Sequence, residues 1–206
     1  MTGLIFSSVT EIQPFLQRYR RGRFESLTEG EWRGDDDVVV CVTGMGKIKS
    51  TLCVERMLKE ESVDRLLHLG TCTALKDRFD VGQAVAASHV MEGDRVELAA
   101  PAYPRMPLAI AFDDLEEAIL VTQEHTIRGD EEQSYWQRIA DISDMSGYAV
   151  AYVAATNGVP CHIVKVISGT MDGDAENFQD DLQTAQERVA ETALRAIEQW
   201  RDDEAA

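Results

Sequence analysis

Hydrophobic positions along the chain fall into two patterns that take turns. Continuous apolar runs bounded by turn residues occur at 3–8 (GLIFSS), 38–44 (VVVCVTG), 64–72 (DRLLHLGTC), 81–91 (VGQAVAASHVM), 118–123 (AILVTQ) and 161–168 (CHIVKVIS). Runs of that length and composition predict buried strands. Between them, apolar residues recur at three- and four-residue steps. Thr10 is placed as the cap of a first helix carrying Ile12, Phe15 and Leu16, with Pro14 in its opening turn. A second helix, over 47–61, is expected to turn Ile48, Leu52 and Met57 inward. Met145–Asn157 forms a helix pattern closed by Gly158, with Pro160 beyond it. The final helix aligns Phe178, Leu182, Ala185, Val189, Ala193, Ala196 and Trp200 on one face. Residues 23–33 suggest an irregular hairpin, 92–115 a loop with short strands, and 129–137 the start of a short helix.

Strands alternating with helices predict one α/β domain over 1–206, its mostly parallel sheet covered by helices. Composition removes several functions. A net charge of −17, from 37 acidic and 20 basic residues, argues against nucleic acid and against an anionic membrane surface. The acidic excess fits either a salt-adapted host or solubility through self-repulsion. No apolar window reaches the ~18 residues of a membrane span, and the N-terminus lacks the pattern of a signal peptide. Cys41, Cys53, Cys72 and Cys161 are widely separated and mostly sit in apolar runs, so neither disulfides nor zinc are expected, and the cytoplasm is the natural setting. No histidine pair has metal-ligand spacing, and no cofactor motif is present.

In open α/β sheets ligands bind beyond the carboxyl ends of strands, so the residues immediately after each strand are the candidates for chemistry. Ser7, Ser8 and Glu11 come after the first. Gly44-Met45-Gly46 comes after the second at a helix start, where free N–H groups favour an anion, although a plain strand-to-helix turn accounts for it equally. Gly70-Thr71 comes after the third, and His125-Thr126-Ile127 after the 118–123 strand. Ser168-Gly169-Thr170-Met171-Asp172 comes after the last. Glu11 can act as a base or simply complement its helix dipole.

Taken in order, GLIFSSVTEI, VTGMGKIKS, LHLGTCTALKDRFDVGQAV and DMSGYAVAYVAATNGVPCHIVKVISGTMD resemble the nucleoside phosphorylase superfamily. The nearest branch is the 5′-methylthioadenosine/S-adenosylhomocysteine nucleosidases, with their D/E-M-E-x-x-A … VP … ISD pattern. The resemblance implies a three-layer α/β/α sandwich around a twisted mixed sheet, usually a homodimer, and cleavage of a purine N-glycosidic bond in a small-molecule nucleoside. It implies that Glu11 activates the attacking water and that Gly44, Gly46 and Thr71 line the nucleophile pocket. Thr126 and Ile127 would lie near the base and Met145 against the ribose, with Ser7 and Ser168 as further substrate contacts. Two positions depart from the pattern. Ser146 stands where the family has a ribose-binding Glu, and Gly169 stands where it has the Asp that helps protonate the leaving purine. Asp172 or Asp174 could replace that acid, or could cap the last helix. His68 stands where phosphorylases place a phosphate-binding Arg, which favours water as the nucleophile. The implied function is a purine nucleosidase. A catalytically degenerate nucleoside-binding protein and a phosphate-dependent phosphorylase are the alternatives.

Overall fold

Side chains that alternate across a strand must be buried twice when helices cover both faces of a sheet. In the first strand, β1 (Thr2–Phe6), Leu4 and Phe6 enter one core and Ile5 the other. Val38, Val40 and Val42 of the strand over Val38–Val42 likewise separate from Val39 and Cys41. The computed structural model describes all residues except 21–23, 25, 26, 95–103, 128, 171–176 and 206. Its elements are β1, α1 (Val9–Arg18), β2 (Glu31–Gly34), β3 (Val38–Val42), α2 (Lys47–Glu60), β4 (Arg65–Ala74), β5 (Ala84–Glu92), β6 (Met106–Pro107), β7 (Glu116–Thr122), α3 (Asp130–Trp136), β8 (Ile142–Asp144), α4 (Gly147–Thr156), β9 (Cys161–Thr170) and α5 (Phe178–Ala205).

The sheet runs β2-β3-β1-β4-β8-β7-β5-β6, with β9 pairing β4 and β5. It is mixed, with parallel pairings in the majority: β1–β3, β1–β4, β4–β9, β5–β7 and β7–β8 are parallel, and β2–β3, β4–β8, β5–β6 and β5–β9 antiparallel. Helices α1 and α5 cover one face through Ile12, Phe15, Val189, Ala193 and Trp200. Helices α2 and α4 cover the other through Val54, Met57, Val150 and Ala154, giving the α/β/α sandwich.

Three local expectations need correction. The cap of α1 is Ser8, whose Oγ accepts from the Glu11 N–H at 3.2 Å, and Thr10 lies inside the helix. The Ser8-x-x-Glu11 spacing fixes this start and moves Pro14 into the second turn. On α2 the inward stripe is Ser50, Cys53, Val54 and Met57, at the three- to four-residue spacing of one helix face. Ile48 and Leu52 fall on a different stripe and are 74% and 60% exposed. The short strand β8 was absent from the sequence pattern because only three residues pair, yet it bridges β4 and β7.

Candidate active site

A cavity of about 510 Å³ opens beyond the carboxyl ends of β1, β4, β7, β8 and β9, within the size range of small-molecule sites. Of the expected site residues, Ser7, Glu11, Thr71, Thr126, Met145, Ser146 and Ser168 line it. Gly44 and Gly46 do not. They hold φ of 87° and 100°, and a Cβ on either would strike the carboxylate of Glu29 or Glu124. The α2 N-terminus is satisfied from within the chain, because the Lys47 N–H donates to Glu124 Oε1 at 2.6 Å. Met45, between the two glycines, is the part of this turn that reaches the cavity. Ile127 is instead buried with Met91, Val121 and Trp136 in a separate apolar cluster. Gly169 also lies off the cavity lining, opposite Thr73 where a bulge at Ser168 shifts the β4–β9 register. Asp172 and Asp174 lie outside the described residues.

Glu11 departs from a simple helix-dipole role. Its carboxylate turns away from its own helix, and Oε1 accepts from the Thr71 N–H at 2.8 Å and the Thr71 hydroxyl at 3.0 Å. Gly70 permits the approach, since a Cβ there would sit 2.9 Å from Oε1. Oε2 is buried and has no hydrogen-bond partner among the described residues. Glu11 as a whole is only 8% exposed. A carboxylate that lines the cavity, fixed through one oxygen and with the other unsatisfied, can accept a proton or bind a hydroxyl.

The cavity floor is a buried polar network. The clearest sequence signal for it was a lysine inside the apolar run HIVKVIS. Lys165 is 1% exposed, and its ammonium donates to Asp144 Oδ2 at 2.9 Å and His68 Nε2 at 2.8 Å. The His68 Nδ1 faces the Ile5 carbonyl at 3.1 Å. A carbonyl can only accept, so the neutral ring carries its proton on Nδ1 and accepts at Nε2. Burial first, and then the Lys165 charge, hold the His68 pKa below the ordinary histidine value. For Asp144, burial pushes the carboxyl upward, but Lys165 outweighs it and keeps the group ionised well below the usual range. Asp144 Oδ1 accepts from the Thr122 hydroxyl at 2.6 Å, and both carboxylate oxygens accept from the Gly147 N–H that opens α4. Asp144 therefore anchors the turn that presents Met145 and Ser146. Ser146 Oγ in turn lies 3.0 Å from His68 Nε2, 2.8 Å from Ser7 Oγ and 3.4 Å from Asp144 Oδ2.

Asp144 and Lys165 were not identified as site residues from sequence, nor was His68 seen as their partner. They are remote along the chain, and only the β4–β9 and β7–β8 registers bring them together. Thr10, Thr73 and Ser143 add hydroxyl-bearing walls, and Phe178, Leu182 and Gln186 of α5 close one side.

The chain is 22% identical over 190 residues to the aminodeoxyfutalosine nucleosidase of Helicobacter pylori (strain J99 / ATCC 700824), covering 81% of each. Its fold superposes on the 5′-methylthioadenosine/S-adenosylhomocysteine nucleosidase from Helicobacter pylori with a TM-score of 0.79, at 19% identity over 96% of this chain and 97% of that one. The futalosine hydrolase of Helicobacter pylori strain 26695 superposes with a TM-score of 0.76, at 18% identity, covering 95% and 96%. The Phosphorylase superfamily profile matches residues 3–198. With that match running along nearly the whole sheet-and-helix framework, the chain belongs to the Phosphorylase superfamily.

Proposed function

We propose that the protein is a nucleosidase that hydrolyses the N-glycosidic bond of a purine nucleoside or related metabolite of the methylthioadenosine, adenosylhomocysteine and aminodeoxyfutalosine kind. The observation that carries this is Glu11 Oε2, buried and unpartnered beside the cavity. A water held there gives its proton to Glu11 as its oxygen bonds to the anomeric carbon. The electrons of the broken C–N bond leave with the purine, which takes a proton from an acid. The products are free sugar and free base, and Glu11 returns its proton to the acid. General acid–base groups of this kind contribute ~10²–10⁴-fold each. Asp172 is proposed as the acid on sequence grounds, since it lies just beyond Gly169 in the stretch leaving β9.

Water suits this cavity better than phosphate. Among the described residues lining it, Lys165 is the one Lys or Arg, and Asp144 already neutralises it. A phosphate would meet a single compensated cation beside the Glu11 carboxylate, whereas phosphate binding relies on several donors and net positive charge. A second chain is proposed to pack on the face where Ile48 and Leu52 of α2 stand exposed. A cytoplasmic setting is proposed from the buried free thiols at all four cysteines. Among the described residues, no helix is long and apolar enough to cross a membrane.

The test is release of free base from methylthioadenosine, adenosylhomocysteine, adenosine, inosine and futalosine in phosphate-free buffer. Release from one or more, abolished in Glu11→Gln, supports the assignment. Calorimetric binding with no release from any of them favours a nucleoside-binding protein that has lost catalysis.

A further inference from the structure

Beside the cavity, Cys41 of β3 and Cys53 of α2 face each other with their Sγ atoms 3.3 Å apart. Neighbouring hydroxyls hold the two elements in place. Thr43 Oγ1 lies 3.2 Å from Ser50 Oγ, and the two donate to the Gly44 carbonyl at 2.9 and 3.4 Å. The thiols need close by only about 1.3 Å to reach a disulfide bond of ~2.0 Å. Sulfurs held this near to one another react as one unit, with an effective concentration far above that of a thiol in solution.

The two thiols are not equivalent. Cys41 is fully buried, whereas Cys53 retains 4% exposure, so a small reagent meets Cys53 first. The hydrogen bond from Cys41, and after it the Arg56 charge, hold the Cys53 thiol below its ordinary pKa against the opposing effect of burial. The thiolate is the form that attacks an oxidant. The same hydrogen bond, then burial, push Cys41 up. Cys72 and Cys161 are also pushed up by burial, which makes them poor nucleophiles.

We infer that Cys41 and Cys53 form a reversible oxidative modification site, which hydrogen peroxide converts to an internal disulfide that ties α2 to β3 and clamps the turn between them. The Cys53 sulfur attacks one peroxide oxygen, the O–O bond breaks, and a sulfenic acid forms with release of hydroxide. The Cys41 sulfur then displaces that hydroxyl as the S–S bond forms. In sum, two thiols and one peroxide give one disulfide and two waters. A reducing compartment reopens the bond, so the oxidised state there is transient. The ring closed by the disulfide contains Gly44-Met45-Gly46, and Met45 borders the cavity. Drawing Cys53 toward β3 moves the start of α2 and the Met45 wall with it.

The experiment treats the folded, reduced protein with hydrogen peroxide, then counts thiols in denaturant and maps linked peptides by mass spectrometry. The expected result is a Cys41–Cys53 cross-linked peptide, reversed by dithiothreitol, with Cys72 and Cys161 still titratable. Amide exchange over residues 42–52 should slow in the oxidised protein. Base release should fall by up to ~10²-fold and return with dithiothreitol, since displacing a wall by about 1 Å can cost that much. Four titratable thiols after treatment, a sulfenic or sulfinic acid on Cys53 without the cross-link, or a disulfide between two chains would overturn the inference. A cross-link that leaves both exchange and base release unchanged would overturn the clamp. Cys53→Ser should abolish the response and Cys161→Ser should keep it; if Cys53→Ser does not fold, the wild-type peptide map still decides. Release of base from no nucleoside removes the nucleosidase assignment alone, because the thiol count, peptide map and exchange do not depend on turnover.

Discussion

Replacing Glu11 by glutamine separates two consequences of the same unpaired oxygen. Glutamine keeps the side-chain length and an oxygen that can accept from the Thr71 N–H and hydroxyl, now at 2.8 and 3.0 Å. What disappears is Oε2, the buried, unpartnered oxygen proposed to accept the proton. A general base contributes ~10²–10⁴-fold, so kcat should fall by about 10³, equivalent to about 4 kcal/mol of transition-state stabilisation. KM should change little, because the base acts in the transition state and not in ground-state binding. Stability should move the other way. A buried acceptor without a partner costs ~1–3 kcal/mol, and for an ionised group the cost is greater. The neutral amide removes the buried charge, so Tm should stay level or rise by ~2–4 °C per kcal/mol recovered. Steady-state base release and a thermal unfolding scan on the same preparation measure both effects. A variant that keeps more than about a tenth of wild-type kcat refutes the catalytic role. Loss of activity accompanied by a large fall in Tm refutes the account of Glu11 as an unpaired, functional carboxylate.

The floor and its surroundings lead to three more expected outcomes. Lys165→Met leaves Asp144 charged and without its cation in the interior, so urea unfolding should show a loss of ~3–5 kcal/mol; adding Asp144→Asn should restore part of it, and strict additivity would argue against a coupled pair. His68 and His162 both have depressed folded pKa values, burial being the first cause in each, so both are neutral when folded and take up protons on unfolding. Stability should therefore fall as pH drops below the unfolded histidine value of about 6.5, by up to ~1.4 kcal/mol per pH unit for each histidine, until the folded pKa is reached. Asp144, also depressed, adds its own loss only below about pH 4. His162→Gln should flatten the upper part of that limb, and an unchanged slope from pH 7 to 5 would count against the assignment. Finally, a side chain at Gly169 meets nothing within 4 Å among the described residues, so Gly169→Asp should fold normally. Because Gly169 lies off the cavity lining and Asp172 is the proposed acid, kcat should stay within about tenfold of wild type, and a larger rise would place the acid at position 169 instead.

Much of the framework could be read from the chain, for a physical reason. The strands over Val38–Val42 and Cys161–Thr170 are buried on both faces, so they appear as unbroken apolar runs, and α5 shows its single buried stripe as a clean helical period. Helix α2 was misread because Ile48 and Leu52 are apolar but exposed, and hydrophobicity alone does not say which stripe meets the sheet. The strand β8 was invisible because three residues carry no period. At the site, Glu11 and Thr71 were legible as strand-end residues. The Asp144–Lys165–His68 network was not, since its members come from three strands and meet only through sheet register. The glycine turn at 44–46 pointed to an anion, and the chain supplies that anion itself through Glu124.

The central claim is that Glu11 activates water against a glycosidic bond. The most direct measurement is product analysis in phosphate-free buffer with methylthioadenosine, adenosylhomocysteine, adenosine, inosine and futalosine, wild type beside Glu11→Gln. The account predicts free base and free sugar from at least one nucleoside with wild type, a rate unchanged by added phosphate, and about a thousandfold less product from the variant. No base release, or release only with phosphate and a sugar 1-phosphate as product, would contradict it.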